Sequence, residues 1–264
     1  MSIEVAVIPA AGRGTRMRPA TRVVPKALIT VVDRPAIQYA VEEAARAGAK
    51  EAIVVVDLDA GHLIAQHFKL GGPLPGLEGI RVRPVVQEEP LGLGHAVYEA
   101  AEMVGDRPFF CLLSDNIVRP GQDVLGEMAA GSNDGEVSVM CLRRLTDEFL
   151  SKYGVVVPTS ETVDAYLDLG GAVEKPGVDS APSRLGLVGR YLFTPEVFSI
   201  LNKTNPGVGG EIQLTDAINE LGQRGRLRGF VAETDLLDTG TPEGLLQATR
   251  ILGTHQFGPD VFDT

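Results

Sequence analysis

Residues 8–28 read IPAAGRGTRMRPATRVVPKAL and carry Arg13, Arg16, Arg18, Arg22 and Lys26 with no acidic residue among them. The chain as a whole has a formal net charge of -11, so these cations are gathered against the trend. Like charges in one loop repel each other, and an anion that fills the loop removes the conflict. Gly12 and Gly14 let the backbone approach such an anion closely and permit a positive φ. A dinucleotide fingerprint would need a third glycine or alanine where the chain has Met17. A P-loop would need a glycine followed directly by Lys and Ser or Thr, and the chain has none. The remaining reading is a different loop, whose backbone N–H groups and arginines embrace a triphosphate.

The elements that must position this loop follow from hydrophobic patterning. IEVAVIPA reads as a buried strand leading into it, and AIQYAVEEAARAGA as an amphipathic helix. EAIVVVD is a second strand, AGHLIAQHF a short helix and IRVRPVVQ a third strand. GLGHAVYEAAEMV then reads as one helix and PFFCLLSD as a fourth strand. Continuous apolar strands separated by helices predict an α/β fold with a doubly wound, mostly parallel sheet covered on both faces. In such sheets ligands bind beyond the carboxyl ends of the strands, where AAGRGTR and LSDN both fall. The middle of the chain, with EVSVMCLRRL, YGVVVP, VDAYLDL, GAVEKP and LGLVGRYLF, predicts β-hairpins added to the sheet. Two helices, GGEIQLTDAINELGQ and PEGLLQATRILG, flank the strand LRGFVAE. The loop Lys69–Gly79 is rich in Pro and Gly and is expected to be mobile. With no repeat or dividing linker, residues 1–264 are expected to form a single domain.

Composition narrows the partners. The 264 residues are 44% hydrophobic and 22% charged, enough for a sizeable core. An acidic chain with one local basic loop suits a small polyanion and lacks the extended basic footprint of a nucleic-acid-binding face. No apolar stretch approaches the roughly 20 residues of a membrane span. Cys111 and Cys141 both sit in apolar strand-like runs and read as reduced core residues. Without a signal-like opening segment, a cytoplasmic protein is expected.

PAAGRGTRMRPATRVVPKAL resembles the signature loop of the sugar-1-phosphate nucleotidyltransferases, and the chain is most similar to the bacterial UTP–glucose-1-phosphate uridylyltransferases. VVDRPAIQYAVEEA, GLGHAV, LSDNI, YGVV, VEKP, VGRYLF, GEIQLTDAI and DTGTPEGLLQA extend the resemblance in order, from Ile3 to about Leu252. It implies a Rossmann-like nucleotide-diphospho-sugar transferase fold and a homo-oligomer. It also implies the reaction. A sugar-1-phosphate oxygen attacks the α-phosphorus of a nucleoside triphosphate, pyrophosphate leaves, and Mg²⁺ assists. An ionised phosphate needs no protein nucleophile, so the protein aligns two anions and offsets their charge.

On this resemblance Arg16 and Lys26 hold the triphosphate and the leaving pyrophosphate, with Arg13 and Arg18 as helpers. Gly12, Gly14 and Thr15 belong to the same loop. Asp115, at the end of its strand, and Asp238, after an apolar pair, supply oxygens to Mg²⁺. Lys175 holds the sugar phosphate, Glu174 accepts sugar hydroxyls, and Asn116, Gly154 and Glu211 complete the sugar pocket. Glu211 is expected in the first turn of its helix. Arg190 lies near phosphate or in a structural pair. Backbone groups of Ala10, Ala11 and Gly92, with the Gln87 amide, pair the edge of uracil or thymine. His95 reads as a packing residue of its helix, and His62, His67 and His255 show no metal-ligand grouping.

The segment between Phe68 and Val85 is shorter than in typical uridylyltransferases, and SDNI and DTGTPEGLLQA look more like glucose-1-phosphate thymidylyltransferases. These departures leave base and sugar open, and UTP with glucose-1-phosphate leads on the resemblance of the whole chain. dTTP, GTP or another nucleotide with a different sugar- or cyclitol-1-phosphate follows. A catalytically silent sugar-nucleotide-binding protein and a nicotinamide oxidoreductase remain as readings of other classes.

Overall fold

The computed structural model describes residues 2–69, 74–233 and 236–262. Residues 70–73 of the Pro/Gly-rich loop lie outside the described residues. Strand β1 (Val5–Pro9) is buried at every position, as a central strand covered on both faces must be. A minimal hairpin of β2 (Thr30–Val31) and β3 (Arg34–Pro35) precedes helix α1 (Ala36–Arg46). Ile37, Ala40, Val41 and Ala44 form the buried stripe of α1, at the spacing of one helical face. Next come β4 (Glu51–Val56), α2 (Gly61–Lys69) and β5 (Arg81–Val86). The expected single helix after β5 is two, α3 (Leu93–Tyr98) and α4 (Ala101–Val104). At the junction the Ala100 N–H donates to Val97 O, a tighter i to i−3 bond that interrupts the α-helical ladder.

Strand β6 (Phe109–Leu112) is followed by β7 (Asn116–Val118), α5 (Val124–Ala130), β8 (Ser138–Arg144) and α6 (Asp147–Leu150). After β9 (Val155–Pro158), VDAYLDL and GAVEKP join into one strand, β10 (Tyr166–Val173). The chain continues through β11 (Leu185–Phe193), α7 (Glu196–Leu201), α8 (Leu214–Gln223), β12 (Leu227–Val231), β13 (Leu236–Asp238) and α9 (Pro242–Phe257). Thr241 caps α9 by accepting from the Gly244 N–H at 3.1 Å, with Pro242 in the first turn.

Nine strands form one sheet in the order β5-β4-β1-β6-β11-β8-β12-β10-β9. β5, β4, β1 and β6 run parallel, and β12 runs parallel to β8, while β11, β10 and β9 pair antiparallel and extend the sheet. From β1 the chain steps outward to β4 and β5, then returns to β6 on the opposite side of β1. The carboxyl ends of β1 and β6 thus flank the switch point where open α/β sheets bind ligands. Alternate residues feed two cores. Val5, Val7, Phe109 and Cys111 point to the side of α3, α7 and α8, and Ala6, Ile8, Phe110 and Leu112 to the side of α1 and α5. Phe109 stacks on Phe198 at 5.0 Å between ring centroids. Truncating a fully buried phenylalanine of this kind costs about 3–5 kcal/mol.

Helix α8 starts five residues later than the segment GGEIQLTDAINELGQ suggested because its leading segment is recruited elsewhere. Ile212 N–H donates to Leu91 O at 2.6 Å, and Gly94 N–H donates to Ile212 O at 2.8 Å. Glu211 is therefore extended (φ -101, ψ 143) and lies against the loop before α3, outside the first turn where it was expected.

Candidate active site

The basic loop leaves β1 at the switch point and winds through three short 3-10 turns, Thr15–Met17, Ala20–Arg22 and Lys26–Leu28. Gly14 has φ 59, a left-handed conformation that favours glycine. A Cβ there would stand 2.9 Å from the Cβ of Lys26, so the glycine also admits Lys26. Buried Met17 pegs the loop to the body, and Thr21 Oγ1 donates to Gly14 O at 2.6 Å. Arg13, Arg16, Arg18 and Arg22 are exposed, and none has an ion-pair partner among the described residues. The loop presents its charge outward with no internal acid to offset it.

A cleft of 530 Å³ opens beside this loop. Ala10, Ala11, Gly12, Gly14, Thr15 and Lys26 line one wall, and Gln87, Gly92, Asp115 and Glu211 the others. Gly92 (φ 100) has no room for a side chain, because a Cβ would lie 2.8 Å from the Cβ of Glu211. The backbone groups expected to read the base are partly engaged. Ala10 N–H donates to Val55 O, and Gly92 O accepts from Ala96 N–H and the Gln87 amide. Arg16 lies outside the cleft wall, within electrostatic reach of Tyr153.

Where Lys26 and Asp115 line the cleft, three charged groups converge on one glycine. A Cβ on Gly240 would stand 2.8 Å from Asp115 Oδ2, 2.8 Å from Asp238 Oδ1 and 2.9 Å from Lys26 Nζ. Lys26 and Asp115 form a close ion pair. Asp238 faces Asn116 in the antiparallel pair of β7 and β13, and its Oδ1 accepts the Gly240 N–H at 2.7 Å. Thr239 donates through N–H and Oγ1 to Asp115 O at 2.7 and 2.9 Å, which fixes the two aspartate segments together. Two carboxylates converging beside one glycine, with neither His nor Cys, are an oxygen donor set for a hard cation. The described residues hold no cluster of three metal-binding side chains, so phosphate oxygens or water would have to complete such a shell.

The sugar-side residues form a second group. Glu174 Oε1 pairs with Lys175 Nζ at 2.7 Å, and Glu174 Oε2 accepts from Thr215 Oγ1 at 2.6 Å. Gly154 packs here, since a Cβ would meet Glu174 Oε2 at 3.4 Å and Thr215 Oγ1 at 3.5 Å. Lys175 has φ 45, unusual for a residue with a side chain, and its side chain is more than half exposed.

Two residues of the expected substrate set bond within the protein, Arg190 in the structural pair that was one of its two readings and Asn116 to the neighbouring carboxylate. Arg190 is fully buried and gives Nε and Nη2 to Glu43 at 2.8–3.1 Å. Its remaining donors go to the carbonyls of Leu113, Gly189 and Asn116 at 2.5–3.1 Å. No donor is left for a sugar phosphate, so Arg190 instead braces the backbone on both sides of Asp115. Asn116 turns its amide onto Asp115 Oδ1 at 3.2 Å and orients that carboxylate.

The sequence reading missed Gly240, Thr215, Tyr153 and Arg143. Gly240 and Tyr153 lie inside motifs already quoted, DTGTPEGLLQA and YGVV, but nothing in their residue types announces what the fold sets near them. Burial pushes the Tyr153 phenol up; Arg143 opposes the shift, Asp238 adds to it, Arg16 opposes it and Asp115 adds to it. Arg143 lies over the rings of Tyr153 and Phe149 at 5.2 and 5.4 Å, and its Nε is buried without a hydrogen-bond partner among the described residues. Cys111 and Cys141 are buried free thiols, as expected. Among the described residues no helix is long and apolar enough to cross a membrane.

The nucleotidyl transferase family profile matches residues 5–254. The UTP–glucose-1-phosphate uridylyltransferase of Bacillus subtilis (strain 168) is 36% identical over 264 residues, covering 94% of this chain and 90% of that protein. A UDP-glucose pyrophosphorylase solved with UDP-glucose superposes with a TM-score of 0.87 at 32% identity, over 96% of this chain and 99% of the other. A UTP-bound enzyme of the same kind from Acinetobacter baumannii gives a TM-score of 0.83 at 32% identity, over 97% and 96% of the two chains. A loop that offers uncompensated cations, a cleft at the switch point and two carboxylates beside it are thus found in a chain that belongs to the nucleotidyl transferase family.

Proposed function

We propose that this chain transfers the uridylyl group of UTP to glucose-1-phosphate, forming UDP-glucose and pyrophosphate with Mg²⁺ as the metal. The observation that carries the reading is the convergence of Lys26, Asp115 and Asp238 on Gly240 where Lys26 and Asp115 line the cleft. The relatives' names support UTP and glucose-1-phosphate as substrates. Asp115 and Asp238 would hold the Mg²⁺, which when bound polarises phosphate oxygens. Lys26 and Arg16 offset charge on the triphosphate and on the departing pyrophosphate. Lys175 holds the phosphate of the sugar, and Glu174, set by Thr215, accepts its hydroxyls. An oxygen of the sugar phosphate bonds to the α-phosphorus as the bond from that phosphorus to the α,β-bridging oxygen breaks, the oxygen leaving with pyrophosphate, and no protein group needs to gain or lose a proton. The protein aligns and neutralises.

Residues 1–264 act as one nucleotidyltransferase domain in this reading. Free buried thiols favour a reducing, cytoplasmic setting. Exposed apolar residues on the α9 side, Leu246, Phe257 and Phe262, suit a homo-oligomer. The test is pyrophosphate release from a grid of nucleoside triphosphates and sugar-1-phosphates with Mg²⁺. UTP with glucose-1-phosphate should be the fastest pair. A faster dTTP reaction would overturn the base assignment, and a folded protein silent with every pair would overturn the activity.

A further inference from the structure

Gln87 is 7% exposed and sits in the cleft wall just after β5. Its Nε2 donates to Gly92 O at 3.1 Å and contacts His95 Nδ1 at 3.0 Å. A carboxamide nitrogen carries two hydrogens, and both are taken if Nδ1 is the bare nitrogen of the ring. The other ring nitrogen, Nε2, lies 3.1 Å from Oε1 of Glu99, the residue that caps the C-terminus of α3, which draws the imidazole proton to that side. Glu99, His95, Gln87 and Gly92 O thus form a directed chain. At its end the Gln87 Oε1 has no partner among the described residues. Turning the amide over would set Oε1 against Gly92 O and against a bare imidazole nitrogen, two acceptor–acceptor contacts in a poorly solvated wall.

We propose that His95, held by Glu99, is a positioning residue for base selection: it locks the Gln87 amide with its oxygen toward the cleft. A fixed acceptor there takes the N3–H of uracil or thymine. Cytosine presents a lone pair at the same ring position, so the locked amide disfavours it. The inference rests on the reading that a nucleoside triphosphate occupies this cleft, and it gives His95 a role beyond packing in its helix.

The test compares full-length wild type, His95→Asn, His95→Phe and Glu99→Leu, measuring dissociation constants for UTP and CTP by calorimetry alongside turnover. The Asn side-chain oxygen can replace Nδ1 as the acceptor, so His95→Asn should keep the wild-type UTP-to-CTP affinity ratio within about twofold. His95→Phe frees the amide to rotate and should lower the ratio by about fivefold, the scale of one hydrogen bond. The change should fall on KM for UTP rather than on kcat, which a general packing defect would not select. Glu99 is partly exposed, so Glu99→Leu keeps the proposal open to refutation if His95→Phe does not fold; it should lower the ratio by about twofold. An unchanged ratio in the folded His95→Phe and Glu99→Leu proteins, or an equal loss in His95→Asn and His95→Phe, would overturn the inference. UTP-selective binding without turnover would instead sink the proposed activity and leave the positioning role standing.

Discussion

Asp115 and Asp238 are more than 120 positions apart in the chain, yet both reach within 2.8 Å of the point where Gly240 would carry a Cβ. The short β7–β13 ladder and the two bonds from Thr239 to Asp115 O hold them there. Gly240 is therefore the floor of the charged site.

That geometry makes Gly240→Ala a test with small structural side effects. The three atoms nearest the added methyl are ends of side chains, which can move aside, so stability should change by no more than about 1 kcal/mol. Turnover should fall by roughly 100-fold, because the carboxylates and Lys26 Nζ can no longer close on one point. Steady-state rates beside denaturant melts would show this, and near-normal turnover would remove Gly240 from the site.

Asp115→Asn and Asp238→Asn should each lower kcat by at least about 100-fold, the scale for losing one element that stabilises transition-state charge. Raising Mg²⁺ should not restore the rate. Full turnover at saturating Mg²⁺ in either variant would exclude that carboxylate from metal binding.

Arg190→Met should behave in the opposite way, as a stability mutant. It leaves the Glu43 carboxylate without its cation in the core and takes a donor from three carbonyls, of which Gly189 O and Leu113 O keep a backbone bond, a loss of roughly 3–5 kcal/mol. Urea titrations would measure it. Sugar-1-phosphate affinity of the remaining folded protein should stay close to wild type, and a selective loss of that affinity would return Arg190 to the substrate.

The exposed cations of the basic loop should report nucleotide by mass action. At a hundredfold excess over Kd, UTP should stabilise the fold by about 2.7 kcal/mol, less at high salt. Thermal melts should show the gain much reduced in Arg16→Ala and hardly changed in Arg22→Ala, which lies at the solvated rim. Equal shifts in all three proteins would mean that the loop's charge serves something other than a triphosphate.

Burial pushes the Cys111 and Cys141 thiols up from 9.0 to about 12, against a smaller opposing effect of Arg190. Above about pH 9 the unfolded chain loses protons that the native state keeps, so this contribution to stability is complete below that pH and declines toward pH 12. Denaturant titrations at about pH 8 and about pH 10.5 should show a steeper decline in wild type than in Cys111→Ala, by up to roughly 1.4 kcal/mol per pH unit. Identical slopes would show that the Cys111 thiol is not shielded.

Local pattern determined much of this protein. The uniformly apolar β1, the apolar face of α1 and the Thr-Pro cap of α9 are written in neighbouring residues, because strand burial, helical amphipathicity and capping act over a few positions. The uncompensated charge of residues 8–28 was equally legible, since a missing acid is visible without a fold. Tertiary structure alone decided where α8 begins, because the bonds of Ile212 and Gly94 outweigh the propensity of Glu211 to continue the helix. It also decided that Arg190 faces Glu43, a residue 147 positions away, and that Gly240 lies beneath two carboxylates from separate strands. Contacts of that kind depend on how distant segments pack, and no short window of sequence contains both partners.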